Sequence, residues 1–247
     1  MSDGIYAALS GAVAQERALD VVANNVANVG TDGFRGDRLA FRESLSRATG
    51  GPTPTSLRYV EVGLSRIDDT EGPMRATGNP LDLAIGGDAF FVVDTPNGMR
   101  LTRDGSFSVD TAGVLRTHGG HAVMQGPGPQ PSPIVLTDRR TPITVSPEGV
   151  LSQGDQVVAQ LRFERFAAQE DARHEGLSLL VPQQGTQTLP ATGATVMQGY
   201  LEGANVSAVG GMNELITTNR SFEAFQRVIQ TFRALDERTA RELASAG

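Results

Sequence analysis

The stretch Leu19-Asp20-Val21-Val22-Ala23-Asn24-Asn25-Val26-Ala27-Asn28-Val29-Gly30-Thr31-Asp32-Gly33-Phe34 decides how this chain is read. It opens with the apolar spacing of a helix and closes in a turn. Asn24, Asn25 and Asn28 occupy the last helical turns, where asparagine is a mediocre helix former because its side chain competes for backbone hydrogen bonds. Gly30 and Gly33 then supply the backbone freedom that ends a helix. A helix that gives three positions to amides is expected to spend them on hydrogen bonds to another helix.

Upstream, residues 3–29 read as one helix. Ile5, Leu9, Ala12, Glu16, Leu19, Ala23 and Val26 follow alternating steps of four and three, a heptad seam with Glu16 as its polar interruption. Ser2 or Asp3 can cap it, and its length would be roughly 40 Å. The alanine-rich seam lets a partner helix come close. At the other end, residues 207–244 repeat the pattern, with Leu215, Phe222, Phe225, Ile229, Phe232 and Leu235 on one face. Asn205 or Ser207 can cap this helix, which would reach roughly 50 Å. Gly210 and Gly211 weaken its opening by roughly 1 kcal/mol each relative to alanine, which predicts a start nearer Met212. Each phenylalanine has ~150–250 Å² to bury, more than a thin alanine-rich helix covers. A bare two-helix pair would expose a strip longer than the usual patch on a soluble monomer. The strip must fold onto the middle of the chain or pack into an assembly.

The middle is β. Ala89 to Val93 is a buried-strand run, Thr95-Pro96-Asn97-Gly98 a hairpin turn with Met99 to Thr102 pairing back. Asp104-Gly105, Asp110-Thr111-Ala112-Gly113 and Pro147-Glu148-Gly149 repeat this logic, and Ser106 to Val109 and Val157 to Phe163 are further strands. Strands at about ten-residue spacing point to a small sandwich or barrel. Before them, residues 35–77 read as a connector with short extended pieces such as Arg58 to Val62, around the breaker-rich loop Gly50 to Thr55. Gly126 to Pro131 is an exposed loop. The fold class is α+β: paired, coiled-coil-like N- and C-terminal helices with a central all-β domain, divided 1–34, 35–77, 78–202 and 203–247.

Composition narrows the function. The 247 residues include 29 glycines and 13 prolines, as turn-rich β structure requires, and no cysteine, which excludes disulfides, thiolate metal sites and a cysteine nucleophile. The net charge of −7, with every basic residue an arginine and only Arg139 and Arg140 adjacent, argues against a nucleic-acid groove. No Sec-type signal and no membrane-length apolar run is expected.

Four motifs then resemble the axial proteins of the bacterial flagellum, the basal-body rod proteins of the FlgF and FlgG type. Ala23-Asn24-Asn25-Val26-Ala27-Asn28 with Thr31-Asp32-Gly33-Phe34 is similar to that family's N-terminal signature, and Gly78 to Phe91 to the entry of its central domain. Leu101-Thr102-Arg103-Asp104-Gly105-Ser106-Phe107 and Gly203-Ala204-Asn205-Val206-Ser207 supply the other two. The opening Ser2 to Tyr6 and the short length are closer to the proximal-rod than the distal-rod member, while Ala89 and Ala204 stand where the family has glycine and serine. The resemblance implies a structural subunit whose terminal helices build the inner tube of the rod with the β domain outside them. It also implies partners that are copies of the chain, other rod proteins and the flagellar export apparatus, and export without a cleaved signal. Asn24, Asn25 and Asn28 are then candidates for setting register between neighbouring subunits, as a buried amide does in coiled coils.

No converging catalytic set is legible, and no cofactor, metal or small-molecule substrate is expected. His118 and His121 flank a Gly-Gly turn without a marked third ligand, so they read as exposed turn residues. Asp68, Asp69 and Glu71 read as a solvated charge run. Arg35-Gly36-Asp37 matches an integrin signal, and Asn205-Val206-Ser207 and Asn219-Arg220-Ser221 match glycosylation sequons; all three are short enough to be incidental. The alternatives are a distal-rod or hook-type protein, a peptidoglycan-acting enzyme, which needs a buried acid in a sugar-sized cleft, and a carbohydrate-binding adhesin module, which the absence of tryptophan disfavours.

Overall fold

The computed structural model describes residues 2–47, 56–126, 131–136, 141–168, 172–183 and 186–245. The loop 50–55, most of the loop 126–131 and Arg139 and Arg140 lie outside the described residues. Two compact units emerge, one from residues 1–26, 37–65 and 208–247, the other from 27–36 and 66–207. The β unit therefore takes in the turn after the first helix and residues 66–77, which the sequence pattern groups with the helix and the connector.

The first unit holds α1 (Ser2–Ala27), α2 (Ala208–Ser245) and a two-stranded ribbon of β1 (Asp37–Arg47) and β2 (Ser56–Ile67). The connector is thus far more extended than the short pieces expected of it. The second helix also begins four residues before Met212 and keeps both glycines in its first turns. The reason is steric: a Cβ on Gly211 would stand 2.5 Å from Val26, so the close approach of the two helices needs glycine there.

The second unit is built on an antiparallel sheet in the order 172–174, 179–182, 98–102, 90–95, 122–125, 115–117, 107–109. Its centre is Phe90–Thr95, whose side chains alternate between two cores. Phe91 and Val93 face a large cluster with Leu83, Ile85, Phe107 and Leu151, while Phe90 and Val92 face a smaller one with Ile67, Leu101, Met124 and Leu180. Burial on both faces explains why this run is continuously apolar. In the hairpin, Thr95 pairs with Gly98, and the glycine takes the positive φ (102°) while Asn97 does not. The expected strand from Val157 to Phe163 is two strands, Gln156–Gln160 and Phe163–Phe166. They pair with different neighbours, Val150–Gln153 and Phe90–Phe91.

The strands that enter this unit pair with those that leave it: Met74–Ala76 with Tyr200–Glu202, and Leu83–Gly86 with Thr195–Gln198. This closes the unit at the base, where the chain enters and leaves.

Candidate functional site

Two features of the structure are candidates, each within its own unit: the helix pair and a buried ion cluster in the β unit.

The helices run antiparallel. A Cβ on Gly4 would lie 2.9 Å from the ring of Phe232, and one on Gly11 2.5 Å from that of Phe225. Seven residues separate the two glycines and seven the two phenylalanines, so each aromatic knob enters a glycine notch one heptad from the next. At the far end the sizes reverse, with Val26 against Gly211. On α1 the positions seen against α2 are Gly4, Gly11 and Val26; the two glycines stand one residue before Ile5 and Ala12 of the heptad read from the apolar pattern, and Val26 stands in that heptad. Ala8, Ala12 and Val22 are buried and Ile5, Leu19 and Val26 half-buried, whereas Leu9 is 51% exposed and Glu16 and Ala23 are exposed. The shift has a simple cause, since glycine marks the place where the partner's bulk sits yet adds nothing to a hydrophobic pattern. On α2 the line Gly211, Leu215, Thr218, Phe222, Phe225, Ile229 and Phe232 keeps steps of four and three. Its phenylalanines are half-buried, and Leu235, outside the rhythm, is 45% exposed.

The asparagines divide. Asn25 makes a two-way clasp with the backbone of Asp37: its Nδ2 donates to the carbonyl at 2.8 Å and its Oδ1 accepts from the amide at 2.9 Å. Asn28 is buried in the turn, where its Oδ1 accepts from the Thr31 hydroxyl. Asn24 is exposed. Asn205, read as a helix cap, instead stitches the β unit: it accepts from the Gly36 amide at 2.7 Å and donates to the carbonyls of Asp68 and Thr70.

The ion cluster was not legible as such. Arg35, Arg103 and Glu202 are each no more than 2% exposed. Glu202 Oε1 lies 2.7 Å from Arg35 NH2, near enough for an ion pair though not aligned as a hydrogen bond, and its Oε2 accepts from Arg103 NH1 at 3.1 Å. Glu202 Oε1 also accepts from the Gly72 amide at 2.9 Å. Arg103 NH1 donates to the Ile85 carbonyl at 2.9 Å, and its guanidinium lies over the Phe90 ring. Burial, reinforced by the Arg35 charge and opposed by Glu202, holds Arg103 below its ordinary pKa. Glu202 thus ties the turn after the first helix to the entering and leaving strands. The turn fits only because Gly33 has φ +70° and no side chain: a Cβ would stand 2.2 Å from the Asp104 amide nitrogen. Arg103 and Glu202 sit in or beside the motifs quoted above, the one signal that marked them. Burial of Arg35 also removes the integrin reading of Arg35-Gly36-Asp37. Among the described residues no cluster of histidine and carboxylate side chains could hold a metal ion, and no helix is long and apolar enough to cross a membrane.

Three family models match along the chain: the flagella basal body rod protein over residues 5–35, the flagellar hook protein FlgE/F/G D1 domain over 84–153, and the flagellar basal body rod FlgEFG protein C-terminal over 197–242. The chain is 37% identical over 226 residues to the flagellar basal-body rod protein FlgF of Mesorhizobium japonicum, covering 90% of each chain. It is 32% identical over 246 residues to FlgF of Caulobacter vibrioides, covering 98% of each. To FlgG of the latter organism it is 30% identical over 250 residues, covering 91% of this chain and 93% of the relative. Together with the helix pair and the closed β unit, these matches make the chain a member of the FlgE/F/G family of flagellar basal-body rod and hook proteins.

Proposed function

We propose that the chain is a structural subunit of the proximal rod, polymerising through its terminal helices with copies of itself and with other rod proteins after export without a cleaved signal. The observation that carries this reading is the unfilled apolar surface of the helix pair. Leu9, Val13, Met212, Ile216, Val228 and Leu235 are all more than 40% exposed although they sit on helices that already have a partner. Apolar surface of this kind is buried when subunits pack, and contacts between unlike faces propagate a filament rather than close a ring. The seam residues Ile5, Leu19, Val26, Leu215, Phe222, Phe225, Ile229 and Phe232 fix the pair, and the exposed set contacts neighbours. The 37% and 35% identities to two proteins named FlgF, against 28–32% to those named FlgG, support the proximal assignment.

The test is complementation of a deletion strain with Val228→Asp, scored by electron microscopy of basal bodies. Val228 is 43% exposed, so the charge leaves the isolated chain folded, as its circular dichroism should verify, while rods stop short at the level of this subunit. Full-length rods and normal motility with a folded variant would refute assembly through this surface.

A further inference from the structure

The helix pair carries two apolar features that the pairing itself does not cover. On α1, Tyr6, Leu9 and Val13 are all more than 40% exposed. At 3.6 residues per turn they lie about 140–200° round the helix from Gly4, on the side away from α2. On α2, a groove of about 540 Å³ runs from Ala224 to Leu235 and is lined also by Arg227, Val228, Thr231 and Phe232. Phe232 meets Gly4 of α1 as well, so the groove opens beside the seam. The ridge Tyr6, Leu9, Val13 advances by three and four residues, and the groove positions Ala224, Val228, Thr231, Leu235 by four, three and four. Both keep the heptad rhythm in which knobs enter holes. A ridge of roughly 10 Å fits within a groove of roughly 16 Å.

We infer that the α1 ridge of one copy seats in the α2 groove of a second copy, antiparallel, with Tyr6 at the level of Leu235 and Val13 at that of Val228. This rests on the rod reading proposed above and names the faces and the register through which two copies meet. Helices laid along a polar filament keep one direction from copy to copy, so α1 meets a neighbour's α2 antiparallel, as it meets its own. Charge selects the same register. Continued past the groove, it brings Arg17 within one residue of the level of Glu223 and Asp20 within one residue of Arg220, and all four side chains are exposed. A parallel seating, with Tyr6 at Val228 and Val13 at Leu235, would set Asp20 against Glu242 and leave Glu16 with Arg238 as the attractive pair. Exposed ion pairs add little strength, but like charges brought together exclude a wrong register. The two faces are unlike, so the contact repeats as an open filament.

The chain has no cysteine, so in basal bodies from a deletion strain complemented with Val13→Cys/Val228→Cys, each disulfide between copies of this chain reports this contact. Mild oxidation should turn the chain into a ladder of covalent dimers and larger species. Tyr6→Cys/Val228→Cys, which the parallel seating would join, should stay monomeric. Full-length rods that give no ladder with the first pair, or a ladder with the second, overturn the inference and leave the rod reading standing. Complete rods in the uncomplemented deletion strain overturn both. Asp20→Arg added to the first pair should lower the ladder at limiting oxidant about two- to fivefold, the range of an exposed ion pair, and Arg220→Asp on top of it should restore the yield. Equal yields from all three chains would overturn the register.

Discussion

Gly11→Ala tests whether the glycine notches set the register of the helix pair. An added Cβ would stand 2.5, 2.7 and 3.0 Å from Cε1, Cζ and Cδ1 of Phe225. Ordinary carbon contacts lie near 3.5–4.0 Å, so the ring must move by about 1 Å. Overpacking of this size costs about 1–3 kcal/mol, while replacing a helical glycine by alanine returns about 1 kcal/mol. The net expectation is a loss of about 1 kcal/mol, although propensity alone predicts a gain of the same size. Urea unfolding followed at 222 nm, where the two long helices dominate the signal, measures it. Adding Phe225→Leu should relieve the clash, so the double-mutant cycle should show a coupling of about 0.5–3 kcal/mol. A stabilised Gly11→Ala, or strictly additive single and double variants, would refute the notch.

Glu202→Gln should destabilise the β unit by about 3–5 kcal/mol, because it leaves two buried guanidiniums without their counter-charge; urea unfolding followed by β-sheet circular dichroism measures this. Asn25→Ala should cost about 1–3 kcal/mol by stripping the Asp37 amide and carbonyl of their partner, and the Asp37 amide should lose hydrogen-exchange protection. Asp104→Asn addresses pH. Burial raises the Asp104 pKa, against the Ser106 hydrogen bonds that lower it. A folded carboxyl with a raised pKa binds its proton more tightly than the unfolded one, so its contribution to stability declines as pH climbs from the unfolded pKa through the folded one. The asparagine, whose Oδ1 can still accept from Ser106, should therefore gain in melting temperature relative to the parent at pH 7 compared with pH 3. An equal difference at both pH values would show that the carboxyl carries no burial penalty.

Much of the architecture was legible because it rests on local periodicity. Steps of four and three marked both helices, the unbroken apolar run at Phe90 to Val93 marked the central strand, and turn glycines such as Gly113 and Gly149 adopt the positive φ expected of them. The candidate site was only partly legible. Leu9 and Leu235 look like seam residues by hydrophobicity, yet the structure leaves them outside it, while Gly4, Gly11 and Gly211 carry no hydrophobic signal and receive the bulky partners.

The sequence by itself determined that there are two long helices, a β unit between them and membership of an axial protein family, since spacing and motif order along one chain are enough for that. Tertiary structure alone decided which side of α1 faces α2, because register depends on matching the volumes of two distant segments. It also decided that Asn25 clasps the backbone of Asp37 at the start of β1 and that Asn28 is buried in the turn after Ala27. And it decided that Arg35, Arg103 and Glu202, distant in sequence, share one buried charge cluster. A charged side chain reads as solvated until the fold brings its partners together, and the energy of burying it depends wholly on those partners.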